Sequence, residues 1–235
     1  MRQNEVIVTG VLKAGEAVSG IEVFHMVDQS SATKVSIIDA GLTLTNAAGE
    51  SFSFVAENGS YSIVGSEGLI LPNSAYRFAG TADGSEVKAS VVIPEDIHSV
   101  VGETLSYTID LQQPERLAFQ IIWNELADHS YILTLENVEE SPISIPFVDV
   151  EGGRFDAQFD GPYSSTVANL LATDFMYYGH HKLKVYAIDK NYERFFFFNP
   201  ANASNLVKSG LTNIAGGKGF LAGVSSFTID LNVLQ

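Results

Sequence analysis

The stretch NIAGGKGFLAG, Asn213 to Gly223, places four glycines and a lysine within eleven residues. Glycine-rich turns carrying a lysine can cradle a phosphate, because bare backbone amides approach its oxygens while the ammonium offsets its charge. The spacing here does not fit that chemistry. A nucleotide P-loop needs glycine five residues before its Gly-Lys pair and a hydroxyl after it, and Thr212 and Gly219 occupy those two positions. A dinucleotide fingerprint must open a helix, whereas the residues after Gly219 alternate as a strand. Gly216, Gly217, Gly219 and Gly223 therefore read as positions of positive φ or of close backbone approach ahead of the final strand. The segment is expected to be structural, anchored through Ile214, Phe220 and Leu221 to the body of a second domain.

The other chemistry-bearing residues are histidines and carboxylates. His180 and His181 are adjacent, and neighbouring strand residues face opposite ways, so the two cannot share one metal ion without distortion. His25, His98 and His129 stand far apart with no paired-ligand spacing, which makes them surface histidines. Asp149, Glu151, Asp156 and Asp160 surround EGGRFDAQFDG, an acidic loop with glycines of the kind that supplies oxygens to calcium, although no EF-hand spacing is present. Asp128 with His129, or Glu139 with Glu140, can be drawn as acid/base pairs, with Tyr131, Tyr163, Tyr177 and Tyr178 as sugar-stacking rings. That leaves two alternatives open, an acidic-cleft carbohydrate-active hydrolase and a calcium-stabilised adhesion module. There is no Gly-x-Ser-x-Gly elbow or other nucleophile setting. No catalytic residue, cofactor site or metal site is assigned, and the expectation is a non-enzyme.

The elements that would position these groups are strands. EVIVTGVLK, GIEVFHMV, KVSIIDAGLTLT, ESFSFVAE, GSYSIV, AYRFAGTA and EVKASVVI are rich in β-branched and aromatic residues and are punctuated by Gly and Asx turns. Their spacing of about 8–12 residues points to a sandwich. TNAAGESFSFVAENGSYSI reads as a meander, and LPNSAYRFAGTADGSEVKASVVIP as a hairpin across Asp83-Gly84 closed by Pro94. This order resembles immunoglobulin-like or transthyretin-like modules, and the module shape names no function.

PEDIHSVVGE, Pro94 to Glu103, lacks periodicity and marks a boundary between domains at 1–97 and 103–235. Beyond it, FQIIWNELADHSYILTLE looks like two neighbouring strands of a fibronectin type III-like sandwich, with Trp123 in the core and a tyrosine beside it. TVANLLATDFMYYGHH fits a short helix or a loop, and a loop is preferred. DKNYERFFFF can begin a helix capped by Asp189, with Tyr192 and Phe196 one turn apart. SSFTIDLNV, with Phe227, Ile229, Leu231 and Val233 on one face, is the clearest strand. The fold class expected is mainly β, two β-sandwich-like domains with at most one or two short helices.

Composition sets the outer limits. The chain has 235 residues, 46% of them hydrophobic and 17% charged, enough for two packed domains of roughly 100 residues each. A formal net charge of -15 opposes binding to nucleic acid or anionic lipid. No Lys or Arg lies between Arg116 and Arg154, a span that includes Glu125, Glu136 and Glu139, while six of the thirteen basic residues fall between Lys182 and Lys218. An ordinary solvated acidic face accounts for that asymmetry. With no cysteine there is no disulfide, thiolate metal site or cysteine nucleophile. No apolar run reaches the roughly 18 residues of a membrane span. MRQNEVIVTG enters strand alternation almost at once, as a mature chain would.

The C-terminal stretch FFFFNPANASNLVKSGLTNIAGGKGFLAG resembles the end of a domain-of-unknown-function family of Bacteroidota outer-membrane lipoproteins. The matching residues are Asn199, Pro200, Asn213, Ile214, Gly216, Gly217, Gly219 and Phe220. VIVTGVLKAGEAVSGIEVFHMV, GLTLTNAAGESFSFVAENGSYSI, AYRFAGTADGSEVKASVVIP and KLKVYAIDKNYERF fall in the family's order, so the resemblance spans nearly the whole chain. Lys218 and Leu221 depart from the glycine pattern, and the lipid-attachment cysteine is missing, as expected once a signal peptide is trimmed. Such proteins are encoded near TonB-dependent receptors. The resemblance implies a lipid-anchored location in the cell envelope of a Gram-negative bacterium. It also implies a binding role beside an outer-membrane uptake system, with a protein partner such as a TonB-dependent receptor. It transfers no catalytic residue.

Overall fold

A computed structural model describes residues 5–28, 33–146, 158–189, 192–193 and 212–235. The described residues are mainly β, and no helix among them is long and apolar enough to cross a membrane. In chain order the strands are β1 (Val6–Lys13), β2 (Glu22–Asp28), β3 (Thr33–Ser36), β4 (Gly41–Asn46), β5 (Ser51–Ser53), β6 (Val55–Glu57), β7 (Ser60–Ser62), β8 (Ala75–Ala82) and β9 (Ser85–Val92). They continue with β10 (Thr104–Thr108), β11 (Leu117–Ile122), β12 (His129–Asn137), β13 (Gln158–Tyr163), β14 (Val167–Leu171), β15 (Gly179–Asp189) and β16 (Lys218–Leu234). A single 3-10 turn, Ala172–Asp174, follows β14.

The chain forms two compact units, Met1–Asp96 with Ile188–Ser225, and Ile97–Ala187 with Ser226–Gln235. The expected domains, 1–97 and 103–235, differ from these units in residues 188–225, which belong to the first. The physical reason lies in β1. Its parallel partner is the first half of β16, in a register running from Ile7 with Lys218 to Lys13 with Val224.

In the first unit β1 also pairs antiparallel with β2, and β2 with β3. A second sheet has the order β5-β4-β8-β9. Alternation along β9 buries Val87, Ala89 and Val91 and exposes Lys88, Ser90 and Val92, as period-2 patterning requires. These join Phe78, Leu44, Val8 and Ile21 in one core. The β8–β9 hairpin turns at Asp83 and Gly84 with Ala82 opposite Ser85, and both turn residues have positive φ (47° and 74°), the two-residue geometry that Asp-Gly favours.

The expected meander is instead two hairpins, β4–β5 and β6–β7, that belong to different sheets. Phe54 separates them. Its ring is buried edge-on to Phe78 at 5.8 Å, and its N–H donates to Leu42 O, so core packing breaks the run at that residue.

In the second unit the sheet order is β13-β12-β15-β16, with β10 parallel to the end of β16, and β11 pairs with β14. This is a fibronectin type III-like sandwich. Trp123 is buried, its ring 5.3 Å from that of Tyr131 in an edge contact. The two segments read as neighbouring strands pair with different partners, β11 with β14 and β12 with β13, so the aromatic contact crosses the core rather than running along one sheet. TVANLLATDFMYYGHH is also corrected: it opens as β14, where Ala168 and Leu170 turn inward, and only Ala172–Asp174 is helical.

Candidate functional site

The glycine segment is spent on structure. Ala215 and Lys88 exchange both main-chain hydrogen bonds (2.7 and 2.9 Å), which adds a short bridge along the outer edge of β9. Ile214 enters the first unit's core and its N–H bonds Thr212 Oγ1. Phe220 is buried and stacked on Tyr192, whose own N–H is capped by Asp189 Oδ1. Gly216 has φ of 78°, and a Cβ there would overlap the carbonyl oxygen of Glu86; Gly217 has an ordinary φ, but its Cβ would lie 2.7 Å from the carbonyl oxygen of Val6. The segment thus crosses from the edge of β9 to β1. The expectation of a structural role stands with one correction: the segment packs on the first unit, not on the second. The N–H groups of Ile214, Ala215 and Leu221 all donate to protein oxygens, which removes them as phosphate ligands. Asn199, Pro200 and Phe196 lie outside the described residues.

The histidine pair divides as strand geometry requires. His180 is exposed and His181 buried. His181 Nδ1 donates to Gly179 O at 3.1 Å, and Nε2 accepts from Asn137 Nδ2 at 3.2 Å. Burial holds this imidazole below its ordinary pKa, and the edge of its ring lies against Phe175. His25 is not a surface residue either: it is buried, with Nε2 2.9 Å from Asp83 Oδ2 and Nδ1 3.1 Å from Glu5 O. His98 is exposed, and His129 bonds Ala127 O. Among the described residues no group of three or more His, Asp or Glu side chains is placed to hold a metal ion. Asp149, Glu151 and Asp156, and the side chain of Asp160, lie outside the described residues. Of the tyrosines read as stacking rings, Tyr131 and Tyr177 are buried, which rules them out as platforms.

A cleft of about 290 Å3 opens in the second unit. Glu139, Ser141 and Ile143 line it from the chain after β12, Tyr178 and Gly179 from the entry to β15, and Asn232 to Gln235 from the end of β16. Its acidic wall is held by a chain of hydrogen bonds. The Asn137 Oδ1 that anchors the Glu139 N–H (3.1 Å) belongs to the same amide that bonds His181. The His180 N–H then donates to Glu139 Oε1 at 2.8 Å. Gly179, with φ of 98°, leaves room for that carboxylate, because a Cβ would stand 2.5 Å from Oε1. Sequence reasoning paired Glu139 with Glu140 and missed this cleft. The only available signal was GHH itself, an inward histidine beside a glycine.

No protein-family model matches the chain, and no curated protein sequence matches it. Among solved structures, the FN1–FN3 domains of chicken CNTN1 align with 97% of this chain and 66% of that one, at 11% identity and a TM-score of 0.25. A two-domain fibronectin type III segment of chicken tenascin covers 79% and 90% (13%, 0.21), and the IG1 and IG2 domains of DIP-gamma cover 97% and 95% (9%, 0.22). Likeness at this level identifies no family, and the sandwich architecture of each unit is carried by its own strand pairing and core.

Proposed function

We propose that this chain is a non-enzymatic binding protein of a Gram-negative cell envelope, lipid-anchored in its precursor, that captures a ligand or partner beside an outer-membrane uptake receptor. The observation that carries the binding role is the cleft. Its wall carries one carboxylate, that of Glu139, beside apolar side chains, and among the described residues its lining offers the Ser141 hydroxyl but no histidine or second acidic side chain. Glycoside hydrolysis uses two carboxyl groups about 5–10 Å apart. A lining that presents a single carboxylate among its described residues supports recognition better than glycoside hydrolysis. The envelope location is supported by the residues that carry the family resemblance, Asn213, Ile214, Gly216, Gly217, Gly219 and Phe220.

The test uses the native precursor in its own membranes. Membrane fractionation should place it in the outer membrane, and cross-linking should join it to a TonB-dependent receptor. Recovery in the soluble fraction after leader processing, with no receptor cross-link, contradicts the proposal.

A further inference from the structure

We propose that the outer edge of β10 takes up an extended segment of a partner protein as an added strand, a segment with alternating apolar residues and flanking lysine or arginine. This rests on the partner-capture part of the reading above and names that partner's chemistry.

Strand pairing defines the edge. β10 lies parallel to the end of β16, from Thr104 opposite Asp230 to Thr108 opposite Leu234. The Asp230 N–H donates to Glu103 O at 2.9 Å, and the Ile109 N–H donates to Leu234 O at 3.0 Å. The odd-numbered residues therefore turn their main-chain groups towards β16. Strand alternation turns those of Thr104, Ser106 and Thr108 the other way, where β10 has no strand partner among the described residues. All three side chains are exposed, short and uncharged.

Proteins ordinarily protect such an edge with a covering segment, a lysine, a proline or a bulge. The first unit does so: Ala215 bridges Lys88 on β9, and the edge strand β3 carries Lys34. In β10, TLSYT, there is no lysine or proline, and the register is unbroken. The preceding chain does not cover it either. It follows β11 as far as Val100, whose N–H donates to Ile122 O, and then passes Gly102, with φ of 113°, to reach β16.

Charge and packing select the occupant. Between Lys88 and Arg116 the chain carries Glu95, Asp96, Glu103, Asp110 and Glu115 and no Lys or Arg. Asp230, exposed beside Thr104, adds a carboxylate on the face that the short side chains leave open. This field attracts a basic segment and repels a second copy of a chain whose net charge is -15. On the opposite face Leu105 and Tyr107 are only partly buried against the second unit's core. Every second residue of an added strand lies beside them, so apolar side chains suit those positions.

The test is NMR on the full chain with a capped peptide of alternating valine and threonine bearing lysine at each end. Two controls accompany it, the same peptide with glutamate ends and one N-methylated throughout, which cannot add to a sheet. The lysine peptide should shift the Thr104, Ser106 and Thr108 amides saturably and slow their hydrogen exchange at least tenfold. At low salt the glutamate peptide should bind at least tenfold more weakly, and the methylated one not at all. Ser106→Pro removes an N–H that β16 does not use, so the fold should stay while binding falls at least tenfold. Thr104→Lys, which places a like charge at the edge, serves as the second variant should Ser106→Pro lose its fold. No saturable protection of those amides, equal binding of either control, or undiminished binding to both variants overturns the proposal. Concentration-dependent protection without peptide, with a dimer in sedimentation, assigns the edge to a second copy and also overturns it. If the peptide fails to bind while the precursor still cross-links to its receptor, only this inference falls.

Discussion

The side-chain amide of Asn213 bonds both main-chain groups of Leu221: Nδ2 donates to the carbonyl oxygen at 2.7 Å, and the Leu221 N–H donates to Oδ1 at 3.0 Å. One side chain thereby does what a strand partner would do, and it closes the loop that holds Gly216, Gly217 and Gly219. Leu221 is fully buried, so neither of its main-chain groups has water as a substitute. Asn213→Ala should therefore cost about 1–3 kcal/mol for each group left without a partner. Asn213→Asp should also destabilise, because a carboxylate cannot donate to the Leu221 carbonyl. Urea titration reads this as a lower midpoint at constant slope. A wild-type midpoint for the alanine variant would show that the pairing contributes nothing.

Two tyrosines should respond in opposite ways to loss of their hydroxyl. Tyr61 is buried, donates to Ile37 O at 2.8 Å and accepts from Ala40 N at 2.9 Å, and burial pushes its phenol pKa up. Tyr61→Phe orphans both main-chain groups and should cost about 1–3 kcal/mol. The Tyr107 hydroxyl is buried with no hydrogen-bond partner among the described residues, while its ring packs edge-on to Phe119. Tyr107→Phe should be neutral or stabilising, since it removes a polar group that gains nothing from burial. Thermal melts of the two variants decide the matter, and equal losses would contradict the assigned roles.

His181 should give the second unit a dependence on acid. Burial lowers its folded pKa, so the unfolded chain takes up a proton first, near the ordinary value of about 6.5. The contribution of the neutral ring is thus complete above that pH and is lost as pH falls from there through the lower folded value. His181→Gln should flatten the fall in melting temperature between pH 7.5 and pH 5. An unchanged pH profile in that variant would place the acid sensitivity elsewhere.

What the sequence made legible was what local chemistry decides. Asp83-Gly84 carries its own turn geometry, and the alternation of Phe227, Ile229, Leu231 and Val233 can be satisfied only by a strand with one buried face. The partner of each strand was less legible. Nothing local in VIVTGVLK says that its parallel neighbour lies more than 200 residues away in β16, and this is why the glycine segment was placed on the wrong unit. Phe54 interrupts SFSFVAE because its ring is needed beside Phe78, a contact with no trace in the local pattern. The cleft was invisible for the same reason: Glu139, Gly179 and Asn232 meet only after β12, β15 and β16 are aligned.

The most direct measurement is the melting temperature of Gly217→Ala, with and without phosphate-bearing ligands. Its φ is ordinary, so backbone strain plays no part. The added Cβ would stand 2.7 Å from the main-chain oxygen of Val6 and 3.3 Å from Val87 Cγ1, where backbone and core must move. Overpacking of that kind costs about 1–3 kcal/mol, which in a protein of this size lowers the melting temperature by about 2–4 °C per kcal/mol. The melting temperature should drop by at least that order, and neither nucleotide nor inorganic phosphate should stabilise either protein. An unchanged melting temperature, or a phosphate-dependent stabilisation of the wild type that the variant lacks, would show that the segment is a ligand site and not the closure of the first unit.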